Sequence, residues 1–259
     1  MASKLEITLL GNPVITLDDK PVTGFVSSKA QALVYYLAAT GQSHGRETLA
    51  GLLWSDVPDS SAKKNLRDVL SNLRKLLGPF LNITRQAAGL DEAAGIFIDC
   101  QAFATALLDR ELTNSPALTD ADASLLRDII DLYRGDFMAG FYLDEAPLFE
   151  EWMLGERERL RQLALQALTV LADHHVQQGN YAPAIEYTMR LLAMDAWREE
   201  AHRELMLLLA LSGQRSAALA QYEKCRRILD EELGVEPAAE TTALYEQIRS
   251  GNLKPALSL

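Results

Sequence analysis

SAKKNLRDVLSNLRKLL, residues 61–77, decides how the N-terminal part of this chain is read. At 100° per residue, Leu66, Val69, Leu70, Leu73, Leu76 and Leu77 fall on one arc; Lys63, Lys64, Arg67, Ser71, Asn72, Arg74 and Lys75 fall on the other. The spacing predicts a helix buried on one side and basic on the other. Between residues 61 and 85 there are six Lys or Arg (63, 64, 67, 74, 75 and 85) and one acid, Asp68, a local charge of +5 in a chain whose net charge is -11. An acidic protein that keeps one basic surface has a polyanion as its natural partner. The same charges would also solvate an ordinary amphipathic helix, so the neighbouring elements have to decide.

Upstream, KLEITLL (4–10) and VITL (14–17) read as short strands joined through Gly11-Asn12-Pro13, with a second turn at Asp18-Asp19-Lys20. Ser27 or Ser28 caps a helix over about 29–39, with Ala30, Leu33, Val34 and Leu37 inward and Gly41 as its stop. His44-Gly45-Arg46-Glu47 leads into a short helix closing near Trp54, read as a core residue. His44 reads as a turn or phosphate-facing residue, because no second metal-binding side chain lies near it. Asp59 or Ser60, after Pro58, caps the basic helix. Three successive helices with the basic one last make a helix-turn-helix. After Gly78-Pro79, the strand-like segments LNIT (81–84) and IFIDC (96–100) form a candidate wing with Arg85 at its base. In this arrangement Asn72 and Arg74 are the candidates for base edges. Lys63, Lys64 and Lys75 suit phosphates, the wing's Arg85 suits phosphates or the minor groove, and Asn65 suits packing or backbone contacts.

The 259 residues, 48% of them hydrophobic, are enough for two cores. Residues 1–100 carry ten basic and ten acidic side chains; residues 101–259 carry 15 and 26 and account for the whole net charge. A DNA-binding domain over 1–101 and a helical domain over 102–259 are therefore expected. Cys100 and Cys225 lack the spacing and the partners for a zinc site or a disulfide framework, which points to a reducing compartment. No signal peptide or membrane span is indicated, so the expected location is cytoplasmic. No catalytic constellation, metal site or cofactor motif is evident.

From about residue 102 the pattern turns almost wholly helical. The aromatic-rich stretch carrying Tyr133, Phe137, Phe141, Tyr142, Phe149 and Trp152 reads as a packing joint. Beyond it, Ala167, Leu171, Gly179, Ala184 and Ile185 recur 34 residues later as Ala201, Leu205, Gly213, Ala218 and Leu219. That period is the tetratricopeptide spacing. Helices are expected near 157–178, 181–194, 198–211, 215–232 and 238–249. His174, His175 and His202 read as packing or solvated residues, since adjacent histidines do not share a helix face.

On these residues the chain resembles the SARP-type bacterial transcriptional activators over roughly 4–250. The resemblance rests on RETLAGLLW (46–54), KKNLRDVLSNLRKLLG (63–78), LYRGDFMAGF (132–141), FEEWMLGERERLR (149–161) and the run from Ala217 to Ile248. It implies a mainly α fold: an OmpR-like winged helix-turn-helix with small β-sheets, followed by an all-α, tetratricopeptide-like activator domain. It also implies a homodimer on direct repeats in double-stranded promoter DNA that contacts RNA polymerase holoenzyme, without a cofactor. Carried onto this chain, Lys63, Lys64, Arg67, Ser71, Asn72, Arg74 and Lys75 become the groove-facing helix surface and Arg85 the wing contact. The expected wing loop, RQAAGLDEAAG, departs from the family's basic or glycine-rich character at Asp91 and Glu92. With no GxxxxGK segment for the ATPase found in many relatives, the chain is expected to be a short form or the N-terminal piece of something larger. The alternative function is a tetratricopeptide scaffold using both domains for protein contacts. A helical array that senses a small effector is compatible with either.

Overall fold

Ser27, in extended backbone at φ −164°, accepts a hydrogen bond from the Ala30 amide (3.2 Å), so helix α1 begins at Ser28 (Ser28–Thr40). Gly41, at φ 64°, closes it with its amide on Leu37 O. The structure, a computed structural model, describes residues 3–108 and 118–253. The described residues form two compact units, 3–108 with 128–163, and 118–127 with 164–253.

The first unit opens with a four-stranded sheet ordered β3-β2-β1-β7, made of β1 (Leu5–Thr8), β2 (Val14–Leu17), β3 (Lys20–Pro21) and β7 (Phe97–Ile98). The β2–β3 turn places both Asp18 (φ 50°) and Asp19 (φ 61°) in the left-handed region that a two-residue hairpin turn needs and Asp tolerates. β1 pairs antiparallel with β2 and parallel with β7, so the sheet is mixed. Phe97–Ile98 is therefore not a wing strand, contrary to the expectation from IFIDC. The partner of β5 (Leu81–Ile83) is instead β6 (Ala87–Leu90), reached across a three-residue turn. AAGL carries little strand propensity, which hid it. The other side of β6 pairs with β4 (His44–Gly45), giving a three-stranded sheet ordered β4-β6-β5. Gly89 in β6 lies against Ser43: an added Cβ would fall on the Ser43 hydroxyl and within 2.9 Å of its Cα. Gly89→Ala is expected to destabilise the wing by about 1–3 kcal/mol, read as a lower thermal midpoint.

Ile98 delivers Asp99 into the core, where the carboxylate is fully buried. It accepts from the amides of Leu9 (2.7 Å), Leu10 (3.1 Å) and Cys100 (2.7 Å), and from the Arg134 guanidinium (2.8 Å). The chain just after β1 is thereby tied to the first turn of α4 (Asp99–Leu108). Segment 136–139 continues the tie: Met138 N donates to Leu9 O (2.7 Å), Gly11 N to Asp136 O (3.1 Å) and Ala139 N to Gly11 O (3.0 Å). Around it Phe137, Phe141, Phe149 and Trp152 interlock edge-on or tilted and reach Tyr35 and Tyr36 of α1. The aromatic stretch is thus core of the first unit, with Tyr142 as its exposed member.

Helix α2 (Arg46–Leu53) leads through Trp54, which is buried as expected, to α3 (Asp59–Leu77). Pro58 occupies the N-cap position without a side-chain cap, and Asp59 is the first helical residue rather than the cap. Ala62, Leu66, Val69, Leu70, Leu73 and Leu77 are buried, and Leu76 is half-buried. At about 25 cal/mol per Å² of apolar surface, this face is what holds the helix in place; the basic face adds none of that term.

In the second unit, α5 (Asp120–Ile130) supplies its first turns and α6 (Pro147–Gln177) its last ones. α7 (Tyr181–Met194), α8 (Glu199–Leu211), α9 (Arg215–Leu233) and α10 (Ala239–Ser250) complete the array. The recurrent positions are the packed ones: Ala167, Leu171, Ala184, Ala201, Leu205 and Ala218 are all buried. Gly179 (φ 71°) and Gly213 (φ 80°) make the same left-handed turn between consecutive helices. α6 begins ten residues before the helix expected there, because Pro147 suits a first helical position and the aromatic core continues the apolar face.

The histidines of this unit sit in packing and hydrogen-bond contacts. His202 is buried, with Nε2 on Ala196 O (2.9 Å) and Nδ1 on Gln221 Nε2 (2.6 Å), and burial lowers its pKa. His175 stacks on Tyr187, and His174 lies 3.3 Å from Asp120. Among the described residues, no group of three or more His, Cys, Asp or Glu is placed to hold a metal ion.

Glu204 of α8 is pushed up to about 7, first by burial and then by the Asp173 charge, with Arg198 opposing. A carboxyl raised in the folded state binds its proton there while the unfolded chain has released it. Its contribution is therefore greatest at the acid side of the interval from about 4.5 to 7 and declines as pH rises through it. Glu204→Gln is expected to flatten this decline and to raise stability above pH 7 by about 1–2 kcal/mol, after allowance for partial exposure. Thermal melts across pH check both.

Candidate nucleic-acid interface

The predicted site residues divide by their position around α3. Lys63, Lys64, Arg67, Ser71, Arg74 and Lys75 are all exposed, and Asp68 stands among them. Arg74 reaches back to donate to Ile83 O (3.3 Å), bracing β5 against the helix. Asn72 sits on the opposite shoulder and is half-buried. Its Nδ2 donates to Gly24 O (3.1 Å) and its Oδ1 accepts from Val26 N (3.2 Å), so both ends of the amide hold the loop preceding α1. Asn65 is half-buried on that same side.

The wing turn is Thr84-Arg85-Gln86. Thr84 Oγ1 accepts from the amides of Gln86 (3.3 Å) and Ala87 (3.0 Å), while Thr84 N donates to Ala87 O (2.9 Å). Arg85 therefore sits at the tip of the hairpin, exposed. Asp91 and Glu92 lie outside the turn, after β6. The Asp91 carboxylate accepts from Ala93 N (3.1 Å) and starts a single 3-10 turn, Glu92–Ala94. The acids read as part of the wing loop are thus not at its tip.

Between α2, α3 and the wing lies a cleft of about 590 Å³. The start of α2 lines it with Arg46, Glu47 and Thr48, α3 with Lys63, Leu66 and Arg67, and the wing turn with Arg85 and Gln86. The Arg46 amide donates to Gln86 O (2.9 Å), which joins the helix start to the wing. Across the mouth, Lys63 Nζ and Glu47 Oε1 pair at 2.8 Å. Their hydrogen bond and mutual charge lower the Glu47 pKa and raise that of Lys63. Arg46 was not foreseen as a site residue. A signal was available, since a cation at the first position of a helix opposes the helix dipole and wants a reason.

His44 is not among the residues that line the cleft. It is half-buried in β4, with Nε2 at 2.8 Å from Thr40 Oγ1 and its ring against Tyr36, and burial lowers its pKa.

Among the described residues no helix is long and apolar enough to cross a membrane. Residues 98–249 match the bacterial transcriptional activator domain family. Over 230 residues the chain is 33% identical to the regulatory protein AfsR of Streptomyces coelicolor, covering 86% of this chain and 22% of that protein. The chain thus spans about a quarter or less of the AfsR regulators it matches. It is 24% identical to the regulatory protein DnrI of Streptomyces peucetius, covering 94% of this chain and 92% of DnrI. A solved structure of Mycobacterium tuberculosis EmbR, in complex with a low-affinity phosphopeptide, superposes with a TM-score of 0.71. That match is 22% identical in sequence and covers 98% of this chain and 67% of that one, and it shows a shared fold. By the activator-domain match and these regulatory relatives, the chain belongs to the SARP family of bacterial transcriptional regulators.

Proposed function

We propose that this chain is a sequence-specific DNA-binding transcriptional activator. In this reading residues 1–101 form the winged helix-turn-helix and residues 102–259 the tetratricopeptide-like activator domain. It binds promoter repeats as a homodimer in the cytoplasm, needs no cofactor, and contacts RNA polymerase holoenzyme. The observation that carries the reading is the exposed ridge Lys63, Lys64, Arg67, Ser71, Arg74 and Lys75 on α3, beside a braced wing tipped by Arg85, in a chain that is otherwise strongly acidic.

A major groove admits such a helix, with Arg67 and Arg74 directed at base edges and Lys63, Lys64, Lys75 and Arg85 at phosphates. Ser71, at the centre of the ridge, is small enough for the helix to lie deep. Asn72 supports the surface by fixing the loop before α1. Met189 and Trp197, each 56% exposed in the second unit, offer apolar surface of the kind protein partners cover.

The test is a gel shift with DNA from the upstream region of the protein's own gene against excess nonspecific competitor, at low and high salt. Four basic groups on phosphates correspond to about a hundredfold loss of affinity between about 50 and 200 mM salt. A competitor-resistant shift with that sensitivity is the expected result. A folded protein that gives no shift, or a shift indifferent to salt, would remove the groove-binding role from α3.

A further inference from the structure

We propose that the cleft between α2, α3 and the wing seats one DNA backbone phosphate on Arg46, and that Glu47 occupies part of that seat electrostatically until DNA arrives. The inference rests on the reading of α3 as the groove-facing helix and adds to it a contact outside α3 together with a built-in competitor for that contact.

The cleft gathers four cations, Arg46, Lys63, Arg67 and Arg85, around a single acid, Glu47. Glu47 satisfies Lys63 at 2.8 Å and leaves three guanidinium groups to be balanced. The side chains of Arg67 and Arg85 have no hydrogen-bond or ion-pair partner among the described residues. Arg46 Nε is buried without an acceptor among those residues, which is an expensive condition for a charged donor. Arg46 is also the first residue of α2, where the helix dipole already adds positive potential, and Gly45 before it has no side chain to cap the first-turn amides. A buried cationic donor, an uncapped helix start and two further arginines at the rim converge on one volume and call for an anion with several acceptor oxygens. A phosphodiester meets that need, and the cleft opens beside the ridge proposed to enter the groove. Glu47, 84% exposed in its side chain, is free to swing away when a phosphate takes over Lys63.

The arrangement makes opposite predictions for adjacent residues. With the purified full chain and a mixed-sequence DNA duplex titrated over a range of salt, Arg46→Gln is expected to weaken binding about tenfold. It should also reduce the slope of log affinity against log salt by about one. Arg46→Lys should keep the slope, because the charge is retained. Glu47→Gln should tighten binding about threefold, since Lys63 no longer has to be released. Thermal melts monitor folding. If wild type binds with a steep salt dependence while folded Arg46→Gln keeps both its affinity and its slope, the phosphate seat is wrong and the groove-facing reading of α3 stands. If wild type binds no duplex at all, both fall. Should Arg46→Gln fail to fold, Glu47→Gln decides: unchanged or weaker binding overturns the proposal.

Discussion

Asp99→Ala is expected to destabilise the first unit by about 3–5 kcal/mol, a fall of roughly 10 °C in its thermal midpoint. The Asp99 carboxylate is fully buried and accepts from three backbone amides and one guanidinium. Its removal strands the Leu9 and Leu10 amides in the core, and each buried, unpaired donor costs about 1–3 kcal/mol. Arg134→Ala leaves the buried carboxylate without its cation but still on its three amides, so it should cost less, about 1–2 kcal/mol. The contrast is the test. Equal losses for the two variants would mean that the ion pair matters and the amide contacts do not, while a silent Asp99→Ala would mean that water replaces the carboxylate. Asp99→Asn should fall between, because the amide keeps one acceptor oxygen and introduces a donor that faces other donors.

Reversal of charge at Arg67 and Arg74 together is expected to reduce promoter affinity by at least about 100-fold while leaving the fold intact. Each change removes a favourable phosphate or base contact and adds a repulsive one on a surface already dominated by electrostatics. Both side chains are exposed, so little packing is lost. Arg74 also braces Ile83 O, so Arg74→Glu alone should affect the wing more than Arg67→Glu does, visible as faster amide hydrogen exchange in β5 and β6 of the Arg74→Glu protein. Loss of promoter binding with an unchanged melt supports the activator reading. Intact promoter binding with lost capture of a protein partner would favour the scaffold reading.

Much of the architecture was legible because its determinants are local. The 3.6-residue period of α3, the Ser27 cap and the Gly41 stop each depend on neighbours within a turn or two, and each stands where the pattern put it. Strand pairing was less legible. Phe97–Ile98 looks like a hairpin partner for Leu81–Ile83, yet it runs parallel to β1, some ninety residues away in the chain. What selects that pairing is the reach of the next residue, Asp99, to the Leu9 and Leu10 amides, a long-range contact with no sequence signature.

The chemical character of the candidate surface is a property of the sequence alone: which helix is basic, which of its faces is buried, and that the remainder of the chain is acidic. The roles of individual side chains were decided by the tertiary structure. Asn72, on the polar arc of the helical wheel with Ser71, is taken by the loop before α1, and Arg46, outside the basic run, is brought into the cleft by the wing's Gln86. Periodicity reports the direction in which a side chain leaves its own helix, whereas hydrogen-bond partners and clefts arise where separate elements meet. Burial patterns are therefore readable from spacing, and partner choice requires the packed chain.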